Sequence, residues 1–324
     1  MAETGLVKKF YSGTFCQASF AVHLQQLEYK TISGGNDKIM KKNTTENETM
    51  KRKKSCGLLI TGAVLLIVGI IFAVYAYNTS YQASLTATDD KLQLQRPYSY
   101  ALTLVFLAVP LTVKGIYNVI RGVARTDRPD VKRLAIAGLM AALCYIGFAF
   151  FKIDLTVGPE KTSFHFGNVF CVLGALLIGG YWGGLAGAVG MTIGDLTTSY
   201  VTSAPKTFLL KLCIGLIAGF VAHKIFKLDK DHSAKYVTGV TILSCACGMA
   251  FNVVADPVVG YFYKTYLLGV PQDITKALVK IATLTTAVNA VVAVIAASVF
   301  YLALRPALKK AGLFIQVTPS SGTK

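Results

Sequence analysis

The stretch GDLTTSYVTSAPKTFLLK, residues 194–211, places an aspartate and two lysines between strongly apolar runs. Asp195 precedes a short polar turn, and Lys206 and Lys211 follow it. Asp195 and Lys211 are equally far along the chain from Ser203, so two antiparallel helices would hold them at similar depths. They can form an ion pair that fixes the helix register, or both can face a polar ligand.

Other polar residues interrupt apolar runs in the same way. They are His165, Asn168, Asn252, Asp256 and Asn289. An ionisable group inside a membrane costs about 2.5–3.5 kcal/mol on insertion scales, and it usually faces the protein interior or a wet cavity. The amides can instead link neighbouring helices, and His165 can cap a helix at the interface. For any one of these residues, the sequence does not decide between such a structural role and a place in a cavity. If several of them lie at the same depth in the membrane, a shared cavity is favoured.

Composition identifies the environment of these residues as a membrane. Of the 324 residues, 53% are hydrophobic and 15% are charged, against roughly 25% charged in an ordinary soluble domain. The net charge of +17 comes from short basic clusters between apolar runs, not from one basic face. That pattern is typical of membrane loops and argues against a nucleic-acid partner.

Apolar runs long enough to cross a bilayer as helices need about 20 residues. Eight runs qualify, at roughly 56–77, 98–120, 133–151, 165–180, 182–200, 207–225, 236–262 and 277–304. The sequence therefore predicts an all-α integral membrane protein.

Positive charge predicts the orientation of the helices. Basic clusters lie at residues 51–54, 121–133, 224–235 and 305–310, so every second boundary is basic. Because positive loops stay in the cytoplasm, both termini are expected on that side of the cell membrane. Asp195 then lies in the outer half of the bilayer, and the polar cluster predicts a cavity open to the outside.

Four segments follow from this organisation. Residues 1–50 form a polar cytoplasmic tail that is predicted to be disordered. Residues 51–125 form a two-helix transmembrane hairpin, and residues 131–305 form a six-helix membrane domain. Residues 306–324 form a cytoplasmic C-terminal tail.

Pairs of small residues four positions apart recur along the predicted helices. The pairs are Ala137 and Ala141, Gly183 and Gly187, Gly190 and Gly194, and Gly215 and Gly219. Such spacing lets helix backbones approach closely. We expect most of it to pack helices within the chain, while the alanine pair could instead receive a partner protein.

Residues 131–305 resemble the substrate-binding S component of energy-coupling factor (ECF) vitamin transporters, in the riboflavin-type group. The resemblance lies in the alanine-rich RLAIAGLMAAL helix and the H-x-G-N opening at His165. It also lies in the glycine-rich helix ending in Gly194-Asp195 and in the APKTFLLK turn. It is clear in the first four helices of this block and weaker in the last two.

The resemblance implies a six-helix S-component bundle preceded here by an extra hairpin. A vitamin or vitamin precursor would bind near the outer face, covered by the loops before helices two and four. The implied substrate-binding residues are His165, Asn168, Asp195, Lys211 and Asn252. No catalytic residue or metal ligand is implied.

The resemblance also implies partners. Ala137 and Ala141 would meet a membrane coupling (T) subunit, and two cytoplasmic ATPases would supply energy. The chain has no G-x-x-x-x-G-K-[ST] loop, so it lacks that means of cradling ATP phosphates. We therefore expect no cofactor in this chain and ATP hydrolysis by the partners.

Two other functions compete with substrate capture. One is an ion-coupled secondary transporter that uses Asp195 as its protonated group, although such carriers usually show inverted repeats and none is evident. The other is an intramembrane enzyme, for which the four scattered histidines offer no H-E-x-x-H set.

A flavin, a pyridoxine-like compound or a thiamine precursor would each suit the polar cluster.

Overall fold

The computed structural model describes residues 58–79, 96–120, 130–157 and 160–318. The predicted tail at residues 1–50 and the end of the chain at residues 319–324 lie outside the described residues. Residues 58–115 and 127–324 belong to one compact unit. The other unit comprises residues 1–57 and 116–126, of which the structure describes residues 116–120 as the end of a helix.

Eight α-helices and one β-hairpin account for the regular structure of the described residues. In chain order they are α1 (Leu58–Thr79), α2 (Arg96–Ile120), α3 (Val131–Ala149), β1 (Lys152–Val157), β2 (Glu160–His165), α4 (Gly167–Ile178), α5 (Gly180–Thr197), α6 (Ala204–Gly219), α7 (Ala234–Phe262) and α8 (Gln272–Lys310). A 3₁₀ turn, Val201–Ser203, precedes α6, and single π-helical turns extend α6 to Ile225 and α7 to Leu267.

Six of the described helices are long and apolar enough to cross a membrane, namely α1, α2, α3, α6 with its extension, α7 with its extension, and α8. Helix α4 has 12 residues and rises about 18 Å, which is short of a bilayer core. Its predicted span began at residue 165, but His165 belongs to the preceding strand. The prediction of an all-α integral membrane protein is confirmed.

Glycines allow α5 to pack closely on two sides. A Cβ atom at Gly183 would collide with the backbone of α4, and one at Gly190 would collide with the carbonyl of Ala141 on α3. On the other side, Gly184 of α5 lies against Gly215 of α6. The prediction that most of these small residues pack helices within the chain is confirmed.

The alanine pair of α3 is largely covered by the chain itself, and its predicted role in meeting a partner stays a prediction. Ala137 is buried in the core, and the carbonyl of Ala141 lies against Gly190. Gly190 of α5 therefore leaves room for the α3 backbone at Ala141. The exposed small residues of α3 are Gly138 and Ala142, and a Cβ at Gly138 would meet nothing within 4 Å.

The extra hairpin packs onto the six-helix bundle. Gly115 of α2 lies against the backbone of Leu59 on α1, so these two helices cross closely. Leu102 of α2 is buried with Tyr263 and Leu268, at the end of α7. The helical hairpin formed by α1 and α2 is therefore joined to the bundle by apolar side chains.

Successive helices run in opposite directions, so the bundle has two distinct ends. One end, named the hairpin end after its β-hairpin, carries that β-hairpin and the turn at residues 198–203. The basic end carries the connection at residues 226–233 and the segment at residues 311–318, with Lys132, Lys227, Lys230, Arg305 and Lys309. The predicted C-terminal tail begins inside α8, which continues to Lys310.

Candidate functional site: a polar cavity under a β-hairpin

The β-hairpin lies over one end of the bundle because α8 holds its second strand. Strands β1 and β2 pair antiparallel, with Lys152 opposite His165. The backbone N–H of His165 donates to Asn289 Oδ1 at 3.0 Å, and Asn289 Nδ2 donates to the carbonyl of Ser163 at 2.9 Å. One amide side chain thus continues the hydrogen bonding of the strand.

Aromatic rings and one ion pair form the rim beneath the hairpin. The Tyr200 hydroxyl donates to Asp154 Oδ1 at 2.7 Å, and Lys152 Nζ lies 3.2 Å from Asp154 Oδ2. Phe148 meets His165 edge to face, with ring centroids 4.9 Å apart, and meets Tyr200 similarly at 5.6 Å. These contacts fix the hairpin against the ends of α3 and α5.

A cavity lies below this rim. It is lined from α3, β2, α4, α5, α6, α7 and α8, and it encloses about 120 Å³. This is smaller than the roughly 300–1,000 Å³ of typical small-molecule sites, so a vitamin-sized ligand needs the β-hairpin or the side chains of the wall to move outward. All five predicted site residues line it: His165, Asn168, Asp195, Lys211 and Asn252. Their role in binding a ligand stays a prediction.

Four buried polar atoms in this wall have no hydrogen-bond partner among the described residues. They are His165 Nδ1, Asn168 Oδ1, Asp195 Oδ2 and Asn252 Oδ1. Asn168 and Asp195 are each 2% exposed, and Asn252 is 1% exposed. Leaving a buried polar group unsatisfied costs about 1–3 kcal/mol. The wall is thus unsatisfied where it faces the cavity.

The charged residues of the wall do not form the ion pair between Asp195 and Lys211 that the sequence allowed. Lys206 Nζ lies 2.7 Å from Asp256 Oδ1, and the Thr286 hydroxyl donates to Asp256 Oδ2 at 2.9 Å. Within the described ranges, neither Asp195 nor Lys211 has an oppositely charged group at ion-pair distance. Both remain available to a ligand.

Several further polar residues of the wall were absent from the predicted set, among them Asp256, Asn289 and Lys264. Asp256 and Asn289 interrupt apolar runs, so the signal that found Asn252 also marks them. Lys264 lies just past the predicted end of its span, where a lysine ordinarily extends to the headgroups. The π-helical turn that follows α7 buries Lys264 instead, leaving it 8% exposed.

No cluster of three or more His, Cys, Asp or Glu side chains suits a metal ion in the part of the chain that the structure describes.

The chain matches a known protein family. The family model described as "ECF-type riboflavin transporter, S component" matches residues 129–306, which is more than half of the chain and extends from α3 into α8. No curated protein and no solved structure matches the chain.

Proposed function

The chain belongs to the family of ECF-type riboflavin transporter S components, and from that premise we propose that it captures a vitamin or vitamin precursor for an ATP-driven importer. An S component is the substrate-binding subunit of an ECF transporter and not an enzyme. The proposal adds three points: where the substrate binds, from which side of the membrane it arrives, and which partner subunits work with this chain.

The observation that carries the proposal is the set of unsatisfied buried atoms around one cavity. Three of them are oxygens that accept hydrogen bonds, on Asn168, Asp195 and Asn252. A ligand with several N–H or O–H donors would satisfy them, while its rings would pack against Phe148 and Met191 in the same wall. Polyhydroxylated or N–H-bearing heterocycles, the chemistry of many vitamins, fit this requirement. The family name makes riboflavin the first compound to test.

The side from which the substrate arrives follows from the positive charges. The basic end of the bundle should face the cytoplasm, so the hairpin end and its cavity face outward. Both termini then lie in the cytoplasm, and the membrane is the cell membrane. The β-hairpin at residues 152–165 covers a site that fills from outside.

Partners supply the steps that this chain does not carry out. We assign ATP hydrolysis to two cytoplasmic ATPases, with no cofactor in this chain, and coupling to a membrane T subunit. Helix α3 is the proposed docking element for that subunit. Ala137 and Ala141 are the proposed contact on this helix, and the exposed Gly138 and Ala142 beside them also allow close approach.

Ligand binding without ATP tests the proposal. The purified full-length chain in lipid nanodiscs should bind riboflavin or another vitamin of a broad panel with 1:1 stoichiometry and a Kd between nanomolar and micromolar. The variant Thr283→Ala, altered outside the cavity wall, should bind equally well. A panel in which no compound binds the folded chain would contradict the proposal.

One observation favours a second candidate, ion-coupled transport by this chain alone. Asp195 is buried without an ion-pair partner among the described residues, as a proton-carrying group would be. This candidate predicts uptake of the bound vitamin into vesicles that contain only this chain under a proton gradient, abolished by Asp195→Asn. Binding without such uptake favours substrate capture.

A further inference from the structure

A groove on the surface of the bundle lies between the end of α7 and the first turns of α8. It measures about 400 Å³ and is lined by Pro257, Val258, Tyr261 and Phe262 of α7 and by Val279 of α8. Apart from the Tyr261 hydroxyl, these side chains carry no polar atom. The volume falls within the roughly 300–1,000 Å³ of small-molecule sites. The groove therefore suits a hydrocarbon chain.

Two lysines, Lys276 and Lys280, form the α8 side of this groove. Both are exposed, and residues four positions apart lie on the same face of a helix. Lys276 Nζ lies 3.9 Å from the exposed Asp273, and exposed ion pairs of this kind contribute little. Lys280 has no ion pair among the described residues. The groove thus joins an apolar lining to two ammonium groups that the chain barely neutralises.

The position of the lysines along α8 places them near the lipid headgroups. Lys280 and Arg305, at the basic end of the same helix, are about 37 Å apart at 1.5 Å per residue. That distance exceeds the hydrocarbon core of about 30 Å but not the full bilayer of about 40–45 Å. With Arg305 among the headgroups of one leaflet, Lys280 lies among those of the other leaflet, and Lys276 lies one turn further out.

The same two helices line the vitamin cavity with other side chains. Asp256 of α7, which directly precedes Pro257, belongs to the cavity wall, and so do Leu278 and Ile281 of α8. A molecule bound in the groove would therefore lie behind the cavity wall and hold α7 against α8.

We propose that this groove binds one phospholipid with an anionic headgroup, of the phosphatidylglycerol class, in the leaflet at the hairpin end. Its phosphate contacts Lys276 and Lys280 through charge-assisted hydrogen bonds, and an acyl chain lies against Val258 and Phe262. A zwitterionic lipid carries its own cation beside the phosphate, so it gains less from the two lysines. The site is distinct from the vitamin cavity, and its ligand comes from the membrane and not from solution.

Lipid-dependent thermal stability of the full-length chain tests this site without any vitamin. The chain in detergent is mixed with phosphatidylglycerol or with phosphatidylcholine that has the same acyl chains. Because a ligand that binds only the folded protein stabilises it, phosphatidylglycerol should raise the Tm by at least about 3 °C more than phosphatidylcholine. Native mass spectrometry should show one tightly bound phosphatidylglycerol per chain.

Two double variants of equal charge locate the effect. Lys276→Gln combined with Lys280→Gln should remove most of the difference in Tm and weaken binding of the tight lipid at least about ten-fold. Lys224→Gln combined with Lys235→Gln changes two exposed lysines at the basic end and should keep both the difference and the tight lipid. Glycerol phosphate, which offers the phosphate without acyl chains, should leave the Tm unchanged.

Three results would overturn the inference. Equal stabilisation by the two lipids would show that the lysines select no headgroup. An equal loss in the two double variants would indicate a general attraction of anionic lipid to basic side chains. Protection by glycerol phosphate alone would identify a site for free phosphate.

Discussion

Asn289 shows how one side chain can position a whole covering element. It is 6% exposed and uses both its donor and its acceptor on the backbone of β2, at Ser163 and His165. An apolar side chain at this position would leave a buried carbonyl and a buried N–H without partners. The hairpin therefore depends on one amide of α8 for its position over the cavity.

Replacing that amide should loosen the hairpin. In Asn289→Leu, two hydrogen bonds worth about 0.5–1.5 kcal/mol each are lost, so the amide of His165 should exchange with solvent at least about ten-fold faster. Hydrogen exchange followed by mass spectrometry on peptides that cover residues 160–165 measures this rate. Thr283→Ala, altered on the same helix, should leave the exchange unchanged, and equal rates in Asn289→Leu and the wild type would contradict the role of Asn289.

The sequence predicted how far along their helices the polar residues lie, but it did not predict which charged residues form ion pairs with each other. Asp195 and Lys211 do line one cavity, as polar interruptions of apolar runs at similar depths suggest. Depth does not say in which direction around its helix a side chain points. Lys206 therefore pairs with Asp256, 50 residues away on α7, a contact that spacing along one hairpin could not indicate.

Helix α5 is the element on which the cavity wall depends most. It carries Asp195 at its end and packs by its glycines against α3, α4 and α6. Any side chain on those faces would push away a neighbouring helix and move the groups that face the cavity. The glycines are therefore needed for close approach and not for an unusual backbone conformation.

Two glycine substitutions separate close packing from helix propensity. Gly190→Ala should lower the free energy of unfolding by several kcal/mol, because its Cβ would collide with the backbone of α3. Gly138→Ala enters open space on α3 and should stabilise the helix by up to about 1 kcal/mol. Thermal unfolding in detergent compares the two variants with the wild type. Equal effects of both would contradict the packing described for α5.

At the scale of elements, apolar runs predicted the helices and missed the hairpin. The segment KIDLTVGPEKT, residues 152–162, falls between two predicted runs and was assigned no regular structure. Its six-residue strands are too short and mixed for a periodic signal, and Asn289 reaches them from 124 residues away. Long-range hydrogen bonds of this kind are not encoded in local spacing.

The opposite end of the molecule is closed by the C-terminal segment at residues 311–318. Asp229, in the connection between α6 and α7, accepts hydrogen bonds from the backbone N–H of Val317 at 2.9 Å and of Thr318 at 2.7 Å. The Thr318 hydroxyl also donates to it, at 2.7 Å, and Ile315 is buried in the core. A single carboxylate thus joins the end of the described chain to the bundle.

This contact makes a pH prediction. Burial alone would raise the pKa of Asp229, but the His223 ring, whose Nδ1 lies 3.7 Å from Oδ1, and the hydrogen bonds from Thr318 hold it well below its usual range. Because the folded-state pKa is depressed, the carboxylate stabilises the fold fully above the unfolded pKa of about 3.9. That contribution is lost as pH falls through the lower folded pKa.

Asp229→Asn should accordingly cost about 1–3 kcal/mol near pH 7. The difference in stability from the wild type should persist near pH 5 and shrink as the pH is lowered below about 4. Thermal unfolding of both proteins across this range measures it. A difference that stays constant down to pH 3 would contradict an ionised Asp229 as the cause.

The two ends of the molecule differ in their side chains. The polar residues that line the cavity collect at the hairpin end, and basic side chains collect at the basic end. This polarity was predictable from the placement of polar and basic residues along the chain. The place of Lys264 in the cavity wall was not, because its burial follows from the π-helical extension of α7.

Binding by a double variant of the cavity tests the central claim most directly. Asp195→Ala combined with Lys211→Ala removes one acceptor and one ammonium, and should weaken binding of the tightest compound in the vitamin panel by at least about 100-fold, near 1.4 kcal/mol for each group. Lys224→Ala is the matched control and should bind like the wild type. Isothermal titration with folded protein gives the values, and wild-type affinity in the double variant would contradict the assignment of this cavity as the substrate site.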